Sequence, residues 1–192
     1  LGVAAVMRGY MLNTEKFERP LEIGDLMHGR GVGEVVASRH PDYRVGDIVH
    51  GKLGWREYAV ADGSPYYLMY KVGRHDAPPA AALGVLGLTG FTAYLGLVDI
   101  GALRAGDTVL VSGAAGGVGS IAVQVARNLG ATVIGIAGSQ EKCRLLTERL
   151  GCNAAIDYRI EDVERRVGEL CPAVIDVYFD NVGGAILDAA LA

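Results

Sequence analysis

The sequence predicts an α/β fold, a doubly wound parallel sheet preceded by a smaller, mostly antiparallel all-β unit. Three observations carry that expectation. Thr108-Val109-Leu110-Val111 reads as a buried strand, runs into the glycine-rich stretch Ser112–Gly119, and continues with Val118, Ile121, Ala122, Val125, Ala126 and Leu129 at helical spacing. Strands and helices then alternate to the end of the chain. Before it, short apolar runs separated by glycine turns suggest a small barrel over residues 1–77, and residues 78–192 read as a nucleotide-binding unit.

Taken in order, Leu1–Met11 reads as the end of an apolar strand and 13–22 as a charged loop. His28-Gly-Arg-Gly-Val-Gly leads into a strand over Glu34–Ala37; Gly46–Gly51, Gly54–Val60 and Tyr67–Val72 supply further short strands. Pro78-Pro79 suits the first turn of a helix, expected from Ala80 to Val98. Residues 77–98 carry no charge and are long enough to span a bilayer, but Pro78, Pro79, Gly84, Gly87, Gly90, Gly96, two threonines and Tyr94 make the run a poor membrane span. It is expected instead as a buried helix between two domains.

Beyond the glycine stretch, Gly130 stands where a helix end favours a left-handed residue, and Thr132–Ile136 reads as a second buried strand. Ser139 is a good N-cap for a helix carrying Leu145, Leu146 and Leu150 that Gly151 ends. Ala154–Asp157 is a third strand. Ile160, Val163, Val167 and Leu170 fall at helical spacing, and Val174–Phe179 is a fourth strand ending in Asp180-Asn-Val-Gly-Gly.

A strand, a glycine turn and a helix N-terminus together offer free backbone N–H groups to a phosphate, and glycine allows the pyrophosphate of a dinucleotide to come close. The pattern here is a variant of G-x-G-x-x-G, with Ala114 in the first place and Gly116 and Gly119 in the others. NAD-binding units carry an acidic residue about 20 residues beyond the turn, at the ribose 2′-hydroxyl. This chain reads Ile136-Ala-Gly138-Ser139 there, followed by Glu141 and Lys142; a small hydroxyl residue with a cation accommodates a 2′-phosphate, so NADP(H) is preferred over NAD.

Composition excludes several other classes. A formal charge of -4 over 192 residues leaves no electrostatic footprint for nucleic acid. Cys143, Cys152 and Cys171 cannot all pair and form no C-x-x-C, which favours a reduced, cytoplasmic setting. His28, His40, His50 and His75 lack metal-ligand spacing, so no metal site is expected, and neither a G-x-S-x-G elbow nor a Walker loop occurs.

Taken together, the chain resembles the medium-chain dehydrogenase/reductase superfamily, and within it the zinc-independent double-bond reductases of the prostaglandin, alkenal and curcumin reductase group. The likeness rests on Met7-Arg-Gly-Tyr-Met11, Gly54-Trp-Arg-Glu-Tyr58, Leu83–Tyr94, Ala114–Gly119, Gly138-Ser-Gln-Glu-Lys142 and Phe179–Gly184. It implies a GroES-like barrel on the substrate side and a Rossmann domain that binds NADPH. Thr92 would lie near the nicotinamide; Ala115, Gly116, Gly117, Val118 and Gly119 at the pyrophosphate; Gly138, Ser139, Lys142 and Tyr158 around the 2′-phosphate; and Asn181 beside the cofactor. The Gly-His-Glu of zinc-dependent relatives is replaced by His28-Gly29-Arg30.

The implied reaction adds hydride to the β-carbon of an enone or enal and a proton to its α-carbon, in a homodimer; quinone reduction and a non-catalytic NADPH-binding role are the alternatives. No catalytic residue is assigned, because the tyrosine that the family places near the enolate belongs to a segment beyond Ala192. Leu1 falls inside an apolar strand and Ala192 inside a helix, so both ends are expected to be missing.

Overall fold

The computed structural model describes residues 1–12, 18–73 and 77–192, so His75 and part of the expected 13–22 loop lie outside the described residues. The chain divides into two compact units, Leu1–Gly87 and Leu88–Ala192.

In the first unit, β1 (Gly31–Glu34), β2 (Ile48–Gly51) and β3 (Tyr70–Lys71) form an antiparallel sheet in the order β1-β2-β3. Gly31 pairs with Gly51 and Glu34 with Ile48, and Val49 pairs with Lys71. The all-β expectation holds at the level of the sheet and fails in detail. Met7–Leu12 is a helix, α1, not a strand end. A short apolar run is ambiguous between the two, and here Met7, Arg8 and Gly9 donate to Ala4, Ala5 and Val6, closing helical turns. The strand expected at Glu34–Ala37 lies at Gly31–Glu34, because β2 ends its pairing at Glu34 and Val35 instead exchanges bonds with Gly46 and Asp47 at the hairpin end. Gly54–Val60 forms no strand: Gly54 is left-handed (φ +71°), Gly54 and Trp55 donate to Gly29 and Met27, and no ladder follows.

The helix expected over Ala80–Val98 is broken. A 3₁₀ turn covers Pro79–Leu83, and α2 begins only at Leu88 and runs to Leu95, continued by a π-helical turn Gly96–Ile100. Within the first unit the turn closes tightly at Gly87, where a Cβ would lie 2.1 Å from the Ala82 carbonyl oxygen. Among the described residues no helix is long and apolar enough to cross a membrane.

The second unit follows the sequence closely. β4 (Thr108–Val111), β5 (Thr132–Ala137), β6 (Ala154–Asp157) and β7 (Val177–Phe179) form a parallel sheet in the order β6-β5-β4-β7. Intervening helices are α3 (Gly117–Asn128), α4 (Gln140–Arg144, continued by a π-helical turn Leu145–Leu150), α5 (Val163–Leu170) and, after β7, α6 (Gly184–Leu191). The fourth strand is shorter than expected: it begins at Val177, after Asp176, whose N–H donates to the Thr108 carbonyl and whose carboxylate accepts the Thr108 N–H. Ile160 lies outside α5, which starts where the Asp162 carboxylate accepts from the Arg165 N–H. Two core clusters sandwich the sheet. One joins Val109, Val111, Val133 and Ala137 to Ala122, Val123 and Ala126 of α3; the other joins Leu110, Ile134, Ile136 and Ile156 to Val167 of α5. Burial of both faces explains why these strands read as unbroken apolar runs.

Candidate functional site

The strand order places β4 between β5, reached through α3, and β7, reached from the far edge. The chain leaves β4 through α3 on one face of the sheet and β7 through α6 on the other, and such a switch point opens a crevice at the carboxyl ends of the strands. The glycine stretch lies there. Gly113 is left-handed (φ +55°), Ala114 is fully buried and donates to the Ile136 carbonyl at 3.0 Å, and Gly116 N-caps α3 without a side chain. The N–H groups of Gly117, Val118 and Gly119 open a 12-residue helix and have no acceptor in its own turns. A Cβ on Gly119 would lie 2.3 Å from the Gly113 carbonyl oxygen and 2.8 Å from the Ala114 Cα, so this glycine lets helix and strand close on each other. Ala114 substitutes for a glycine because the room is made on the other side: a Cβ on Gly135 would stand 3.0 Å from that of Ala114. Ala115 and Val118 are half-buried against the core.

At the end of β5, Ser139 accepts the Lys142 N–H on its hydroxyl at 3.3 Å and so caps α4. Lys142 is exposed. Tyr158, from the end of β6, lies against Gly138, where a Cβ would meet its ring and hydroxyl at 2.8 Å. Gly138 thus touches Tyr158, Ser139 and Lys142 share the first turn of α4, and residues 137–140 carry no acidic side chain. Uncapped N–H groups and a nearby cation suit a phosphate-bearing dinucleotide.

Thr92 lies exposed on α2, and its hydroxyl donates to the Leu88 carbonyl of its own helix at 2.8 Å. The methyl group of Thr89, one turn earlier, instead lies nearest Gly117, 3.7 Å from where a Cβ would stand. On the β7 side, Asn181 donates its N–H to the Ser112 hydroxyl at 2.8 Å and its Nδ2 to the Ser112 carbonyl at 2.9 Å.

Sequence reasoning missed Asp180 as an organiser of this edge. Burial would raise its carboxyl, but the Ser112 hydroxyl, the Gly183 and Val182 N–H groups and the Tyr178 hydroxyl outweigh it and hold the group down at about 2. Burial, reinforced by Asp180, pushes the Tyr178 hydroxyl up to about 12. The signal was present as an acidic residue closing a buried strand just before Asn-Val-Gly-Gly. Burial also raises all three free thiols, Cys152 to about 12, which leaves no activated thiolate among them. Among the described residues no group of three or more His, Cys, Asp or Glu could hold a metal ion.

Residues 1–68 match the family described as the N-terminal domain of oxidoreductase, and residues 117–192 the family described as zinc-binding dehydrogenase. The NADPH-dependent curcumin reductase of Escherichia coli is 42% identical over 191 residues, covering 100% of this chain and 54% of that protein. The chain belongs to the medium-chain dehydrogenase/reductase superfamily. Its likeness within that superfamily is to the double-bond reductase group, which includes the NADP-dependent 2-alkenal reductase of Nicotiana tabacum, 40% identical over 88% of this chain and 49% of that protein. Among solved structures, CurA of Vibrio vulnificus in complex with NADPH superposes with a TM-score of 0.88 at 40% identity, covering 100% of this chain and 56% of that one. The chain spans about half the length of the curated relatives it matches. Its antiparallel and parallel sheets are those of a GroES-like and a Rossmann domain of this superfamily.

Proposed function

We propose that the protein carrying this chain uses NADPH to reduce the carbon–carbon double bond of α,β-unsaturated ketones and aldehydes, without zinc. The observation that supports it best is the joint arrangement of an uncapped helix N-terminus at Gly117–Gly119 and the contacts of Gly138 with Tyr158 and of Ser139 with Lys142. The names of the relatives point the same way.

In this reading the N–H groups of Gly117, Val118 and Gly119 bind the pyrophosphate, with Ala115 and Gly116 shaping the turn. Lys142 and the Tyr158 hydroxyl, beside Ser139, hold the 2′-phosphate, which an acidic residue at that place would repel. Thr92 and Asn181 flank the cofactor on the α2 and β7 sides. When bound, NADPH supplies the hydride for the β-carbon, and a proton at the α-carbon completes the reduction. The protein's part is to exclude water, to orient the alkene and to stabilise the enolate oxygen with hydrogen-bond donors. Residues 1–77 belong on the substrate side and 78–192 on the cofactor side, in a cytoplasmic homodimer.

The test is single-turnover reduction of an enone by NADPH deuterated at C4 of the nicotinamide, in the full-length protein, followed by NMR of the product. Deuterium at the β-carbon supports the proposal. Deuterium at the carbonyl carbon, or turnover of quinones with none of enones, overturns it.

A further inference from the structure

The crevice edge on the β7 side is organised by one carboxylate oxygen. Asp180 Oδ1 accepts from the Ser112 hydroxyl at 2.6 Å, from the Tyr178 hydroxyl at 2.9 Å, and from the N–H groups of Val182 and Gly183 at 3.0 Å each. Ser112, fully buried at the end of β4, uses the same hydroxyl to accept the Asn181 N–H. Its carbonyl takes the Asn181 Nδ2, and its own N–H donates to the Phe179 carbonyl at 3.1 Å. Residues 180–183 are thereby fastened to the neighbouring strand through side chains as well as backbone.

This fixes the chemistry that Asn181 can offer. A backbone carbonyl only accepts, so the side-chain atom facing Ser112 O must be the amide nitrogen, and the amide cannot flip without losing that bond. Its Oδ1, which only accepts, is thereby fixed in place, beside the second N–H of Nδ2.

We propose that Asp180 and Ser112 are positioning residues that hold Asn181 as a fixed acceptor for a hydroxyl or amide N–H group on the nicotinamide half of the bound dinucleotide. The inference rests on the NADPH site proposed above. In a sheet of this order the adenosine ribose lies at the end of β5, beyond the pyrophosphate site of α3, so the other half of the dinucleotide passes to the β7 side, where Asn181 stands. A carboxylate suits the central position because a charged acceptor binds several donors more strongly than a neutral one. A serine suits its own position because donor and acceptor are needed at once in a fully buried site.

The test compares two ligands on the full-length protein and on its Ser112→Ala and Asp180→Asn variants. NADPH reaches both sides of the pyrophosphate site, whereas 2′,5′-ADP carries only the adenosine side. The proposal expects the NADPH dissociation constant to rise about tenfold in each variant, as for the loss of a charge-assisted hydrogen bond. It expects 2′,5′-ADP binding to stay within about twofold, since the hydrogen bonds described for Ser139 and Lys142 share no partner with those of Ser112 and Asp180. Unchanged NADPH affinity, or equal weakening of both ligands, overturns it. If unaltered protein binds neither ligand, the NADPH site fails and takes this inference with it; if it binds both, the variants judge the positioning role alone. Ser112→Ala, which removes one oxygen atom, carries the comparison should Asp180→Asn fail to fold.

Discussion

The two units hold their shape by different means. In Leu88–Ala192 a four-stranded sheet is buried on both faces, with Val109, Leu110, Val111, Ile134, Ile136 and Ile156 at or near zero exposure. In Leu1–Gly87 the buried hydrophobic residues among those described are Met7, Val49 and Ala82, and the sheet is fixed by turn bonds, ion pairs such as Lys71–Asp47 at 2.8 Å, and aromatic contacts such as His50 stacked on Tyr70 at 4.6 Å. Dispersion and apolar burial dominate one unit, local hydrogen bonding the other.

The largest test of that contrast is Gly119→Ala. With the Gly113 carbonyl oxygen 2.3 Å from the new methyl group, helix and strand must separate, and we expect a loss of about 3 kcal/mol or more in denaturant unfolding. A change within experimental error would show that the turn is not the close contact it is here taken to be.

Acid should separate the units next. His50 is buried, its Nδ1 has no partner among the described residues, and burial followed by the charge of Arg30 lowers its pKa from 6.5. The unfolded chain then binds a proton that the folded one does not, so the first unit loses stability as pH falls below about 6.5. Asp180 is held at about 2 against an ordinary 3.8, so its contribution persists above about 4 and is lost only as pH falls from there toward 2. Between pH 6.5 and 4.5, amide-exchange protection should fall in β1 and β2 before β4 and β5, and His50→Leu should abolish that difference. Simultaneous loss in both sheets would contradict it.

The smallest effect is expected at Gly33→Ala in β1, where a Cβ meets nothing within 4 Å: a change within about 0.5 kcal/mol, read in the same unfolding experiment.

The same contrast explains what could be read from the sequence. Strands buried on both faces announce themselves as apolar runs, and Gly130 and Gly151, both left-handed, end their helices where expected. The glycine turn and the Ser139 cap were legible because each rests on local spacing. In the first unit, Leu1–Met11 and Gly54–Val60 were misread because neither has a long apolar period, and their backbone partners, Arg30 for Gly2 and Met27 for Trp55, are distant in sequence. Asp180 was missed for a related reason. Its role depends on Ser112, 68 residues away, and spacing does not register such a contact.

The central claim is that the end of β5 is built for a 2′-phosphate, and Ser139→Asp tests it most directly. Aspartate is as good an N-cap as serine, so α4 should fold unchanged while a carboxylate is placed at its first turn, next in sequence to the Gly138 that Tyr158 touches. Dissociation constants for NADPH and NADH, titrated on the full-length protein and on this variant, give the answer. The account predicts that the unaltered protein prefers NADPH by about tenfold or more and that the variant loses or reverses the preference. Equal affinity for the two cofactors in the unaltered protein, or a preference untouched by the carboxylate, would contradict it.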